Sequence, residues 1–232
     1  MLVAAAVCPC PPLLLPELAA GAAAELDGLR AACDTAIGAV LAAEPDLVWV
    51  VGPAAEHGVF EEGGVGSFQP YGVGRAVTLG PGRSSEPLPS SLAVGAWLLE
   101  RSGWRGDARG LGVPDYLEAE LCAANGVRLA GSATRVGLLV LGEGSARRSL
   151  KAPGYLDERS EAFDETVARG LAGADAGGEL SALDDHLAFE LMASGRAPWQ
   201  VLTAAAAGLG LSAKLLYADA PYGVGYFVAA WS

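Results

Sequence analysis

An α/β fold, a single domain whose mixed β-sheet is flanked by helices, follows from three observations on this chain. "LVAAAVC" (2–8) and "DLVWVVG" (46–52) are short, nearly continuous apolar runs, the pattern of strands buried on both faces of a sheet. Between them, "AAAELDGLRAACDTAIGAVLAAE" (22–44) places Leu26, Leu29, Ala32, Cys33, Ile37, Val40 and Leu41 at helical spacing, which makes a β-α-β opening. At the other end, "AKLLYADA" (213–220) and "GYFVAAW" (225–231) read as two strands closing the sheet across Pro221-Tyr222-Gly223.

The elements between are read in order. From about residue 52 to residue 90 the chain is rich in Gly, Pro and Ser, and only "AVTLG" (76–80) looks like a strand. An irregular stretch of that length points to a binding loop, and its Phe60, Phe68 and Tyr71 argue against disorder. "SSLAVGAWLLERSG" (90–103) predicts a helix with Ser capping, and "DYLEAELCAANG" (115–126) a second stopped by Gly126. "TRVGLLVLGEGS" (134–145) predicts a buried strand entering a glycine loop. "YLDERSEAFDETVARGLAG" (155–173), "GELSALDDHLAFELMASG" (178–195) and "PWQVLTAAAAGLG" (198–210) are three helical stretches in succession. No fixed-period repeat or low-complexity tract divides residues 1–232, which are read as one domain.

Composition narrows the function. A chain of 232 residues that is 52% hydrophobic can bury a substantial core. Its 27 acidic against 15 basic residues give a net charge of −12, which argues against a nucleic-acid or anionic-membrane partner. Four scattered cysteines, Cys8, Cys10, Cys33 and Cys122, are no disulfide framework, and a reducing cytoplasm is the expected compartment. The apolar N-terminus lacks a charged opening region and is cut by Pro9, Pro11, Pro12 and Pro16, so it reads as a strand and loop rather than a signal peptide. No apolar run reaches the roughly eighteen residues of a membrane-spanning helix, and a soluble protein is expected.

Candidate chemistry is sparse. Of the two histidines, His186 lies within a helical stretch among acids and reads as a surface or helix-packing group, while His57 lies just past the end of the second buried strand. In open α/β sheets ligands bind in the crevice at the C-terminal strand ends, and Cys10 occupies the same end of the first strand. A thiol facing an imidazole permits a Cys-His nucleophile pair, two metal ligands, or a packed thiol beside an unrelated histidine. A third metal ligand could come from Glu56, Glu143, Asp219 or Cys8, with no spacing that singles one out, and C-x-C alone is a weak signal. Cys33 and Cys122 sit on apolar helix faces and read as packed thiols. "GEGSARRSLKAPG" (142–154) lacks the order of a phosphate-binding loop, which leaves Arg147 and Arg148 as solvated charges or as contacts to an anionic ligand.

Taken together, these segments resemble the class III extradiol ring-cleavage dioxygenase superfamily, the LigB-type fold shared with Memo-like proteins, over nearly the whole chain. The family's Pro-His-Pro-Pro loop looks like Pro9-Cys10-Pro11-Pro12, and its Asp-His followed by an aromatic residue looks like Glu56-His57 with Phe60. Its glycine loop with Ser-His is similar to Gly142-Glu143-Gly144-Ser145-Ala146, its late carboxylate ligand falls at Gln200, and its closing strands are like "YADAPYGVGYFVA". The resemblance implies a non-haem Fe(II) site of two His and one carboxylate, with a further His as acid/base; the corresponding residues here are Cys10, His57, Gln200 and Ala146. Pro11, Glu56, Glu143, Ser145 and Tyr222 are the other expected pocket residues.

Gln200 lacks the carboxylate charge and Ala146 lacks the proton shuttle, so the expectation is a LigB-like protein that has lost ring cleavage. Its ancestral pocket would then bind a small molecule or a partner. The alternative is a metal-dependent oxidoreductase, or a Cys10/His57-based enzyme, working with altered chemistry in the same pocket. No cofactor is expected, a divalent metal (Fe, Zn or Cu) being the alternative. The resemblance also admits a homodimer or a hetero-complex with a second subunit.

Overall fold

The computed structural model describes all residues, Met1–Ser232. Four parallel strands form the middle of a seven-stranded mixed sheet: β1 (Leu2–Cys8), β2 (Leu47–Pro53), β6 (Asp107–Val113) and β7 (Val136–Leu141). β3 (Gly58–Phe60) lies antiparallel on β6 at one edge. At the other, β9 (Tyr226–Trp231) lies antiparallel on β1 and β8 (Ala213–Asp219) on β9, in the order β3-β6-β2-β7-β1-β9-β8. A separate two-stranded ribbon joins β4 (Val65–Ser67) to β5 (Ala76–Thr78).

Alternation along the strands sorts the core into two layers. Ala5 and Val7 of β1 with Leu47, Trp49 and Val51 of β2 face one side; Ala4, Ala6 and Cys8 with Val48 and Val50 face the other. The first side is covered by α4 (Ala119–Ala130), α5 (Ser160–Ala172), the short α6 (Asp185–Glu190) and α7 (Arg196–Ala206). The second is covered by α2 (Asp27–Ala42) and α3 (Ser90–Arg101), with the single turn α1 (Pro16–Ala19) leading into them. Each strand is apolar on both faces because helices lie on both faces, which is why β1 and β2 read as unbroken apolar runs. Cys33 and Cys122 are fully buried on their helices, as the helical spacing suggests. No helix is long and apolar enough to cross a membrane.

Four local expectations change. Serine does not cap α3, whose N-cap is Pro89 with no side-chain bond. Gly126 does not stop the second central helix. It lies in mid-helix, where an added side chain would run into the Val201 carbonyl and the Ala205 amide of α7, so the residue permits close helix crossing rather than a cap. The segment 178–195 is mostly turns around the short α6, with Met192 in the left-handed region at φ 56°. β6, "DARGLGV", has no counterpart in the apolar-run reading, because Gly110 and Gly112 replace side chains that would collide; a Cβ at Gly110 would come within 2.8 Å of Leu92 Cδ1.

The register then aligns the strand ends. Cys8 pairs with Leu141 and Pro53 with Val113, so the loops leaving β1, β2, β6 and β7 emerge on one edge of the sheet.

Candidate functional site

A cleft of about 1230 Å³ opens at that edge. Each parallel strand contributes to its wall through the loop that follows it: Cys10 after β1, Ala54 and Ala55 after β2, Asp115 after β6, and Glu143 after β7. This is where the crevice rule for open α/β sheets puts a ligand.

Glu143 is the organising residue. Its Oε1 accepts from the Cys10 backbone N–H at 2.8 Å and its Oε2 from the Ser194 hydroxyl at 2.6 Å. Its own backbone N–H donates to Ser194 Oγ at 3.1 Å, and its carbonyl accepts from Gly195 N–H at 2.9 Å. The carboxylate therefore ties the end of β1, the end of β7 and the entry to α7 into one unit. The Cys10 side chain is buried beside it. Burial first, and then the neighbouring Glu143 charge and a hydrogen bond to it, push the Cys10 thiol well above its ordinary value. Tyr226, also buried, is pushed upward by burial and by the same Glu143 charge. Both acids stay protonated at neutral pH, so Cys10 here is neither a ready nucleophile nor a ready thiolate ligand.

The glycine loop after β7 is anchored from below. Asp164 of α5 accepts from Ser145 N–H at 2.8 Å and from Arg148 Nη1 at 3.0 Å. Burial raises the Asp164 carboxyl above the usual carboxylate range, with those two donors opposing the shift. Ser145 is fully buried, its hydroxyl bonded to Ser160 Oγ at 2.9 Å, so it is a structural clasp beneath the cleft. On the far wall Arg159 is held between Asp157 (Nη2–Oδ2 2.7 Å) and Glu190 (Nη1–Oε2 2.6 Å), and the guanidinium brings the Asp157 carboxyl down to about 2.

The structure thus brings Cys10, Glu143 and Arg147 of the sequence-derived residues to the cleft wall and leaves the other expected site residues outside it. His57 is exposed and its Nε2 lies 3.3 Å from Asn125 Oδ1 of α4. Ala146 is buried, its N–H bonded to the Leu191 carbonyl at 3.0 Å. Gln200 lies outside the expected common crevice: it lines a separate hollow with Ser181 and Thr203 and is consumed by structural bonds. Its Oε1 accepts from Arg196 Nη1 at 3.0 Å, and its Nε2 donates to the carbonyls of Leu183 at 3.1 Å and Ser181 at 3.3 Å. The physical reason is helical phase: one turn from Arg196, Gln200 lies on the same face of α7, bonded to that arginine and to the carbonyls of Ser181 and Leu183. Glu56 is exposed, Pro11 begins a short 3₁₀ turn, and the Tyr222 hydroxyl donates to Glu25 Oε2 at 3.0 Å. His186 is exposed, 3.6 Å from Glu190.

A two-His, one-carboxylate iron site does not fit these residues. Nowhere do three His, Cys, Asp or Glu side chains come together to share a metal ion, and the cleft offers the carboxylate Glu143 beside a protonated thiol and no imidazole.

No family model matches the chain, and no curated protein matches it in sequence. Among solved structures, the chain is similar to the crystal structure of the uncharacterized protein JW3007 from Escherichia coli K12, at TM-score 0.58 and 15% identity over 99% of both chains. At that identity the likeness concerns the fold.

Proposed function

We propose that this chain is a non-catalytic, LigB-like binding protein: it keeps an extradiol dioxygenase-type pocket and uses it to hold a small molecule without cleaving it. One observation carries the reading. Of the four positions where the resemblance puts ligands and acid/base, only Cys10 reaches the cleft, and its partner is Glu143 rather than an imidazole. Ring cleavage needs a metal with open positions and a proton shuttle on the same face. A cleft of this volume, with four strand-end loops converging on it, suits a small organic ligand.

The test is to load the purified protein anaerobically with Fe(II), add catechol, admit O2 and follow the ring-opened product by absorbance. The reading expects no product above free Fe(II). Turnover that increases with protein concentration and is abolished by His57→Ala would overturn it.

A further inference from the structure

The cleft contains one cation that the fold leaves unengaged. Arg147 and Arg159 line the cleft, and Arg148 follows Arg147 in the same loop. Arg148 is paired with Asp164 and Glu161, and Arg159 with Asp157 and Glu190. Arg147 lines the cleft with no carboxylate within ion-pair distance and no hydrogen bond from its guanidinium, and its Nε is buried without a partner. An unpaired guanidinium on the wall of a ligand-sized cleft leaves its donors free for an acceptor on the ligand.

The backbone holds Arg147 in place. Its N–H donates to Ser145 Oγ at 3.1 Å, while its carbonyl accepts from Asp157 N–H at 3.0 Å and Ser160 Oγ at 3.1 Å. The guanidinium is therefore presented from a fixed loop, which lowers the entropy lost on binding.

Two further features define the ligand. The N-terminus of α3 lines the same cleft through Pro89, Ser90 and Ser91, has no side-chain cap and no acid in its first turn, and leaves the N–H groups of Ser90, Ser91 and Leu92 outside the backbone ladder. It adds favourable potential for negative charge. Phe189 and Met192, both large and exposed, form apolar wall beside Arg147. The cleft also carries acids, so the attraction is local to Arg147 and the start of α3: Asp157 and Glu190 share the single Arg159, and both Glu143 oxygens accept hydrogen bonds. Asp115 alone is exposed and uncompensated.

We infer that the cleft binds an organic anion, a carboxylate or phosphate monoester on an apolar or aromatic body, with the anionic group on Arg147 and the body against Phe189 and Met192. This rests on the binding-cleft reading and supplies its ligand class.

Calorimetric titration of the full chain with benzoate, phenyl phosphate, benzyl alcohol and benzylamine tests it. At least one of the two anions is expected to bind, with the better of them distinguishing carboxylate from phosphate, and the neutral and cationic compounds to bind at least tenfold more weakly. Arg147→Ala should weaken the anion by about tenfold or more, the range for losing a hydrogen bond to a charged group. Two exposed sites give variants that keep the fold: Ser90→Asp, an acid in the first turn of α3, should weaken anion binding, and Asp115→Asn should strengthen it. Binding of benzyl alcohol or benzylamine as tight as that of the anions, or an Arg147→Ala affinity equal to the parent's, would overturn the anion assignment and leave a binding cleft standing. No binding of any probe by folded protein would overturn both.

Discussion

Glu143 and Gln200 are both polar side chains that the sequence places beside a recognisable motif, and the fold uses them in opposite ways. Glu143 leaves the end of a parallel strand and spends its oxygens on the Cys10 backbone and the Ser194 hydroxyl, so it shapes the wall of an open cleft. Gln200 sits on a helix and is locked by Arg196 and two carbonyls, with 4% of its surface exposed. The strand-end residue is positioned by sheet register and faces solvent-filled space. The helical residue is positioned by helix phase and faces packing. A polar residue near a family's ligand position is thus informative only when the element that bears it points into the cleft.

The helical side of this comparison breaks most easily at Arg196. It is 2% exposed and donates to the carbonyls of Leu117 and Asp115 as well as to Gln200. Arg196→Ala strips donors from two buried acceptors and one half-buried one and should cost about 3 kcal/mol or more in urea unfolding. A loss below about 1 kcal/mol would mean that water replaces the arginine and that the Gln200 region is less dry than described.

The support beneath the Glu143 side can be read by pH. Burial raises the Asp164 carboxyl above its unfolded value of 3.8, so ionising it weakens the fold; this group's contribution to stability grows as the pH falls from neutral toward 3.8 and fades as the pH rises through the folded value. The parent minus Asp164→Asn difference in unfolding free energy should therefore increase on acidification. A difference that shrinks instead would mean that the Arg148 pair outweighs desolvation.

A smaller effect is expected at Cys10. Glu143→Gln removes the charge that helps keep the thiol protonated, so alkylation of Cys10 by iodoacetamide, followed by peptide mass spectrometry at mildly alkaline pH, should be severalfold faster than in the parent. An unchanged rate would assign the raised value to burial alone.

Much of this fold is legible in the sequence because its signals are local: the apolar runs of β1 and β2, the helical face around Cys33, and the terminal hairpin each follow from spacing alone. β6 is hidden because its two glycines are chosen by neighbours that touch them, Leu92 and Phe60 among others, and Gly126 misleads because a helix crossing and a helix cap favour the same residue. Of the site, the cleft's location at the strand ends and the role of Cys10 in its wall can be anticipated from topology. The bond from Cys10 to Glu143, the engagement of Ser194 and the isolation of Arg147 join positions far apart in the chain, and no spacing rule reaches them.

The central claim is that the positions expected to hold a metal do not face one another, and one titration tests it most directly. If Cys10 and Gln200 shared a face with His57, Cys10→His combined with Gln200→Glu would restore two imidazoles and a carboxylate and tighten Fe(II) or Co(II) binding well beyond the parent and a His57→Ala control. With Gln200 bonded to Arg196 and lining a separate hollow, the new glutamate would instead pair with that arginine. Calorimetry on the folded double variant is therefore predicted to show Co(II) affinity no tighter than the parent's, while a tenfold or greater gain that His57→Ala abolishes would contradict the account.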